Sequence, residues 1–253
     1  MLDTGYLLAG RDGRTWGCGV ASALSGREAR VEGTTVVAAT LTPTGWGMWL
    51  ATAEGRLLTQ GDAPDWGSPA EQGLEAPIVD MVVSADGRAY WWLGVNGRVY
   101  VFGSAGYHGS FDYRGAGQEA SALAVTASGG GYWTASAEGT IQAFGDAPPV
   151  SGPAFADDPL VALAPTRTSQ GLWVLSAGGM VVALGDAPDL GAPADLPLRT
   201  RSTAMAGWRY GDGYWVADAE GGVLAFGNAP YLGRRPIDSF LGTVAALAAL
   251  PST

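Results

Sequence analysis

Acidic side chains recur in a four-residue segment, Gly-Asp-Ala-Pro. It occurs three times, and a fourth copy has Asn in place of Asp. Its second position is held by Asp62, Asp146, Asp186 and Asn228. Carboxylate and amide oxygens are the ligands that hard cations such as calcium prefer, and Asp65 and Asp189 follow closely in the sequence. The same segment is also an ordinary turn, because a short polar side chain bonds the backbone ahead of proline. We adopt the turn interpretation and expect neither a metal ion nor a cofactor.

Few residues are available for acid–base or nucleophilic catalysis. His108 is the sole histidine and Cys18 the sole cysteine, which excludes a Cys/His metal cluster and an intrachain disulfide. No Gly-x-Ser-x-Gly segment supports a serine triad, and the absence of lysine excludes a Walker-type phosphate loop and Schiff-base chemistry. The segment 12–16 is similar to the Asp-box turn of sialidases, but it is one residue too short and occurs once. A glycoside hydrolase is therefore the least favoured function, and we predict that the protein is not an enzyme.

Aromatic and arginine side chains are concentrated at two departures from the regular pattern described below. One is an irregular stretch that contains Tyr107, His108, Phe111, Tyr113 and Arg114. The other is a pair of turns, expected on the face of the Gly-Asp-Ala-Pro turns, that contain Trp46 and the run Trp208, Arg209 and Tyr210. Aromatic rings beside arginine make good interface anchors, because they bury much area at small entropic cost. We predict that both groups bind a partner or ligand. The alternatives are local packing over a hairpin and, for His108, a half-buried place on an outer strand.

A repeat of about 42 residues organises the chain. Its anchors are Leu7, Trp49, Trp91, Trp133, Trp173 and Trp215, at spacings of 42, 42, 42, 40 and 42 residues. A turn pair ending in glycine begins five residues after each anchor, and another glycine follows each anchor by twelve residues. Glycine readily adopts the positive φ that a tight hairpin requires, so these turns predict antiparallel strand pairs. A nearly continuous apolar run before each anchor from Trp49 onward predicts an inner strand that is covered on both faces.

These features predict an all-β fold, a six-bladed β-propeller with four-stranded antiparallel blades. The fourth, outer strands are expected to start near Leu24, Trp66, His108, Val150, Leu190 and Leu232. The first anchor lies too close to the amino terminus to have an inner strand before it, and the run 243–248 supplies one from the other end. We therefore expect a single domain over residues 1–253, in which the C-terminal strand completes the first blade and closes the ring.

Composition indicates a folded, acidic protein. Of its 253 residues, 47% are hydrophobic and 15% are charged, and the net charge is −10. An acidic surface repels nucleic acid and anionic lipid, so we expect no nucleic-acid partner. The first residues lack the pattern of a signal peptide and the run 244–250 is too short to cross a bilayer. We accordingly expect no export signal and no membrane insertion.

The best-preserved repeat units are 131–148 and 213–230, which read Gly-Tyr-Trp, then a turn with glycine, then Ala-Phe-Gly-Asp/Asn-Ala-Pro. This unit resembles the tandem repeats of actinobacterial surface proteins and of some actinobacteriophage tail proteins. The resemblance covers nearly the whole chain, although the first and third repeats are degenerate. It implies a recognition or scaffold module.

From these features we expect a non-catalytic protein-interaction or structural module that is a subunit or appendage of a larger assembly, such as a phage tail or injection particle. Its partners would be other protein subunits, and it would become part of the particle after cytoplasmic synthesis. The alternative is a lectin-like propeller that binds a cell-surface glycan.

Overall fold

The computed structural model describes residues 4–26, 33–196, 200–210, 212–234 and 243–251. Their regular structure consists of β-strands and three short 3-10 helices, at Val20–Leu24, Pro69–Gln72 and Pro193–Asp195. The predicted all-β class is therefore confirmed. Within these ranges, no helix is long and apolar enough to span a membrane.

The described strands form six antiparallel sheets of three strands each. The first sheet combines β1 (Gly5–Gly10) and β2 (Thr15–Gly19) with the last strand, β18 (Val244–Ala249). The others use consecutive strands: β3 (Val36–Leu41), β4 (Met48–Thr52) and β5 (Leu57–Gln60); β6 (Ile78–Val83), β7 (Ala89–Gly94) and β8 (Val99–Gly103); β9 (Ala120–Val125), β10 (Gly131–Ser136) and β11 (Ile141–Gly145); β12 (Leu160–Pro165), β13 (Gly171–Ser176) and β14 (Val181–Gly185); β15 (Ser202–Gly207), β16 (Gly213–Asp218) and β17 (Val223–Gly227). We number the sheets one to six in this order. The inner strands are β18, β3, β6, β9, β12 and β15, each paired to the middle strand of its sheet.

Glycines determine where each strand turns. All six predicted hairpin glycines have positive φ, for example 91° at Gly97 and 97° at Gly139. The glycine that ends each third strand is equally necessary, because a Cβ on Gly61 would lie 2.0 Å from the carbonyl oxygen of Trp46. Only glycine allows the chain to pass so close to the preceding loop.

The inner strands contact one another in order around the molecule. Each touches the inner strands of the preceding and following sheets, and β18 touches both β15 and β3, so the contacts return to their start. The anchor tryptophans are buried between neighbouring sheets. Trp49 packs with Tyr90 and Met81 of the third sheet, and Trp215 packs with Tyr6 of the first. These tryptophans belong to the core, as their spacing predicts.

The two ends of the described chain meet in the first sheet. β18 pairs antiparallel with β1, with Leu7 opposite Ala248 and Leu8 opposite Leu247. The predicted pairing of the C-terminal run with the first repeat is therefore confirmed. Residues 235–242, which lead into β18, lie outside the described residues.

The predicted fourth strand is absent from every sheet in the described ranges. The described segments that follow the third strands contain turns, irregular stretches and the three 3-10 helices. Each third strand ends at or directly before a positive-φ glycine, and in four sheets the proline of Gly-Asp/Asn-Ala-Pro then has no N–H to donate. Side chains bond these segments instead. The Trp49 indole donates to the Pro64 carbonyl at 2.7 Å, while the Tyr90 hydroxyl accepts from the Trp66 N–H at 2.8 Å and donates to the Gly67 carbonyl at 2.7 Å. Equivalent indole bonds are donated by Trp91, Trp133, Trp173 and Trp215.

Candidate functional site

The loops that join inner to middle strands lie on one face, which we name the loop face. They span 42–47, 84–88, 126–130, 166–170 and 208–212, of which residue 211 is outside the described ranges. Neighbouring loops touch: the Ala127 N–H donates to Ser169 Oγ at 2.8 Å, and a Cβ on Gly87 would lie 2.7 Å from Pro43 Cδ. The turns that follow the third strands share this face, because Gly61 lies against Trp46.

The aspartates of the Gly-Asp-Ala-Pro turns accept hydrogen bonds from the loops of the loop face. Thr42 Oγ1 donates to Oδ1 of Asp62 at 2.8 Å and Thr44 Oγ1 donates to Oδ2 at 2.6 Å. The same pair of bonds reaches Asp146 from Thr126 and Ser128, and Asp186 from Thr166 and Thr168. Each carboxylate is thus held by the loop of its own sheet. Across the described residues, no group of three or more His, Cys, Asp or Glu is arranged to hold a metal ion.

Four apolar side chains of the loop face form what we name the aromatic arc: Val20, Trp46 and Tyr210, which are exposed, and Trp208, which is half-buried. Trp46 is 69% exposed and Tyr210 is 43% exposed. They belong to sheets two and six, whose inner strands both contact β18 of sheet one. Val20 of sheet one is 37% exposed and lies against the loop that contains Trp46, since a Cβ on Gly45 would be 3.5 Å from its Cγ2. The loops that join inner to middle strands in sheets three to five contain no aromatic residue.

Trp208 and Tyr210 form one end of the arc, with Arg209 between them in the sequence. The rings of Trp208 and Tyr210 meet edge to face with centroids 6.0 Å apart, and the Arg209 guanidinium carbon lies 4.9 Å from the Tyr210 centroid. Trp208 is half-buried against the core between sheets six and one. Within the described part of the chain, the Trp208 Nε1 and Arg209 Nε atoms are buried without a hydrogen-bond partner. Arg209 and Tyr210 therefore form an aromatic–cation pair next to a Trp208 ring that is packed against the core.

The irregular stretch 107–114 lies apart from the arc, between the third and fourth sheets. Tyr107 is 58% exposed and donates its hydroxyl to Ser110 at 3.2 Å. Arg114 is exposed, and Phe111 is half-buried against the Tyr113 ring at 4.8 Å between centroids. The five candidate residues therefore do not converge on one site.

Two predictions for this stretch are corrected. Tyr113 is fully buried and bonds the Thr134 carbonyl through its hydroxyl at 2.9 Å, because the stretch folds inward to cover the core. Burial raises the pKa of this phenol to about 12. His108 is exposed and lies outside any strand, with its N–H bonded to the Tyr132 hydroxyl at 3.0 Å. Tyr113 is therefore a core residue, and the prediction that it binds a partner is wrong.

A cavity of about 730 Å³ lies at the centre of the molecule and is lined by residues from all six inner strands. Most lining residues are apolar. At the third position of the inner strand, five sheets carry Ala38, Ala122, Ala162, Ala204 and Ala246, and the remaining sheet carries Asp80.

The Asp80 carboxylate is bonded to the backbone of two inner strands. Oδ1 accepts from the Met81 N–H at 2.8 Å, and Oδ2 accepts from the Leu123 N–H of the next sheet at 2.8 Å. Burial raises the pKa of Asp80 from 3.8 to about 7, although both N–H groups favour the charged form and lower it. The sequence contains the signal for this residue, since an alignment of the six inner strands shows one aspartate against five alanines. The nearly continuous apolar run predicts a core strand and does not single out Asp80.

Comparisons with known proteins place this architecture. No family model and no curated protein matches the chain. A chain in the crystal structure of a nidogen/laminin complex is similar over 97% of this chain and 98% of its own length, with a TM-score of 0.64 and 12% identity. The Cps50 (Swd1) beta-propeller domain of Myceliophteria thermophila is similar over 90% of this chain and 85% of its own, with a TM-score of 0.54 and 11% identity. At these identities the likeness shows the fold alone, which is all-β and similar to β-propellers.

Proposed function

We propose that the six sheets are the six blades of one closed β-propeller and that residues 1–253 form a single domain. Support comes from the cycle of inner-strand contacts, from the pairing of β18 with β1, and from the cavity that all six inner strands line. In such a ring the first blade is built from both ends of the chain, which removes two free sheet edges.

This propeller acts as a non-catalytic protein-interaction module, with the aromatic arc as its contact surface. The observation that carries this function is the 69% exposure of Trp46 on the same face as the exposed side chains of Val20 and Tyr210. Trp, Tyr and Arg are the residues that contribute most to binding energy at protein interfaces, and Arg209 stacks on Tyr210. The sole histidine lies outside the arc, with its ring 5.9 Å from that of Tyr132.

The partner is another protein subunit of a larger assembly, such as a phage tail or injection particle. The resemblance of the repeat to actinobacterial and actinobacteriophage repeats supports this setting. A net charge of −10 favours a partner surface of low or positive charge around an apolar centre.

Binding by a variant without the arc tests this function. Wild-type protein, the double variant Trp46→Ala/Tyr210→Ala and the control Tyr231→Ala are immobilised and incubated with particle proteins from the source organism, and retained proteins are quantified by mass spectrometry. Tyr231 is a suitable control because it is 58% exposed and lies outside the arc. We expect a particle protein that the wild type and control retain alike and the double variant retains about tenfold less.

A glycan array with the same three proteins separates the alternatives. Saturable glycan binding that the double variant loses would show that the arc binds a glycan and that the protein is a lectin-like propeller. Turnover of a glycoside substrate by the purified wild type would overturn the non-catalytic role.

A further inference from the structure

The part of the cavity wall that the inner strands form carries one ionisable side chain. The six inner strands contain Asp80 and no other acidic or basic residue. The remaining charged lining residues, Arg11, Glu119 and Arg201, lie beyond the strands and are exposed. Along the inner strands, a ligand therefore meets mostly apolar residues, some neutral Ser and Thr side chains, and the Asp80 carboxylate as the single charged group.

The fold does not require this carboxylate. In sheets two and six the equivalent residues are Ala38 and Ala204, and the register shift that occurs at Asp80 occurs at both of them. Placing a carboxylate in an apolar cavity is costly unless a partner compensates its charge. An aspartate at a position that alanine fills elsewhere points to a role beyond folding.

The Asp80 carboxylate accepts fewer hydrogen bonds from the protein than its oxygens can accept. Each carboxylate oxygen accepts one backbone N–H, although a carboxylate offers about four acceptor sites. Within the described ranges, no basic side chain forms an ion pair with Asp80, and none contributes to its electrostatic environment. A cationic ligand would supply the missing charge.

We propose that the central cavity binds an organic cation, an ammonium or guanidinium group on an aliphatic chain, with the Asp80 carboxylate as its anionic acceptor. Calcium and similar ions need six to eight oxygen ligands, and Asp80 is not part of a group of acidic residues that could supply them. The apolar residues around Asp80 suit an aliphatic chain instead, and about 730 Å³ is within the usual range of small-molecule sites. This site is separate from the aromatic arc and does not depend on its function.

Calorimetric titration tests the site directly. The purified full-length protein is titrated with n-butylguanidinium, spermidine, the neutral isostere n-butanol and calcium. Asp80→Ala introduces the residue found in the five other sheets, Asp80→Asn keeps the shape of the side chain, and Glu119→Gln removes an exposed acid at the mouth as a control. Circular dichroism verifies that each variant is folded.

We expect saturable binding of at least one organic cation, reduced at least about tenfold by Asp80→Ala and by Asp80→Asn and unchanged by Glu119→Gln. Two sources of the cation are then distinguished by a short peptide with one arginine. Tighter binding of the peptide than of n-butylguanidinium assigns the cation to a partner protein. Tighter binding of n-butylguanidinium or spermidine assigns it to a small molecule. Both results agree with the proposed site. Equal affinity of wild type and Asp80→Ala would overturn it, as would binding of n-butanol or calcium alone, or no saturable binding at all.

Discussion

The Asp80 carboxylate on β6 accepts a hydrogen bond from the Leu123 N–H on β9, with 2.8 Å between Oδ2 and N. A side chain thus connects the inner strands of two successive sheets. The same carboxylate lies on the wall of the central cavity. Its ionisation is therefore coupled both to the stability of the molecule and to the contents of the cavity.

Asp80 should make stability fall as the pH rises. Because burial raises its pKa from 3.8 to about 7, the folded protein retains a proton between these values that the unfolded chain releases. Asp80→Asn lacks this group, so wild type should lose stability relative to the variant between about pH 4 and pH 8, by at most about 4 kcal/mol. Urea denaturation of both proteins at several pH values measures the difference, in which the titration of other groups cancels. Parallel curves would show that Asp80 has an ordinary pKa.

The Tyr132 hydroxyl should determine the order of the irregular stretch beside it. It accepts from the His108 N–H at 3.0 Å and donates to the Gly109 carbonyl at 2.7 Å, in place of the bonds of a fourth strand. Tyr132→Phe should cost about 1–3 kcal/mol and accelerate hydrogen exchange at the His108 amide. The control Tyr107→Phe removes an exposed hydroxyl and should cost less than about 0.5 kcal/mol. Unchanged exchange at His108 in Tyr132→Phe would contradict this role of the hydroxyl.

Local turns and the repeat period carry enough information to predict three of the strands in each sheet. Gly97 and Gly139 have the positive φ that their hairpins require, and the run after residue 242 pairs with β1 as its spacing indicates. The fourth strand is not found in the described residues, because the residue type at a fixed repeat position does not reveal which groups bond its backbone. Beside Trp66 and His108, tertiary bonds from a tyrosine of the next sheet take the place of strand pairing.

The candidate sites depend even more on packing between sheets. Trp46 and Tyr107 are exposed, as residues that bind a partner must be, but Tyr113 is buried. Sequence alone does not distinguish an aromatic ring that covers the core from one that faces solvent. Asp80 was missed for a different reason. Its significance depends on the central cavity, which exists only when six inner strands are brought together.

The anchor tryptophans should contribute through packing more than through their indole bonds. Trp133 is fully buried, and its Nε1 donates to the Pro148 carbonyl at 2.8 Å. Trp133→Ala should cost about 3–5 kcal/mol, because it leaves a large cavity between two sheets. Trp133→Phe keeps most of the volume and should cost about 1–3 kcal/mol, mainly from the unpaired carbonyl. Guanidinium denaturation of both variants measures these values, and equal costs would mean that the hydrogen bond dominates.

Removal of β18 should open the first sheet and destabilise the whole molecule. β18 pairs with β1 and contacts both β3 and β15, so a chain that ends at residue 242 exposes the edge of β1 and breaks the cycle of inner-strand contacts. We expect a loss of more than about 4 kcal/mol, together with aggregation through the free edge. A chain that ends at Pro251 retains all of β18 and serves as the control. Addition of a synthetic peptide covering 243–251 should restore the melting temperature of the truncated chain, because an added strand can pair with the exposed edge. If the truncated chain instead melts with the control, β18 does not close the structure.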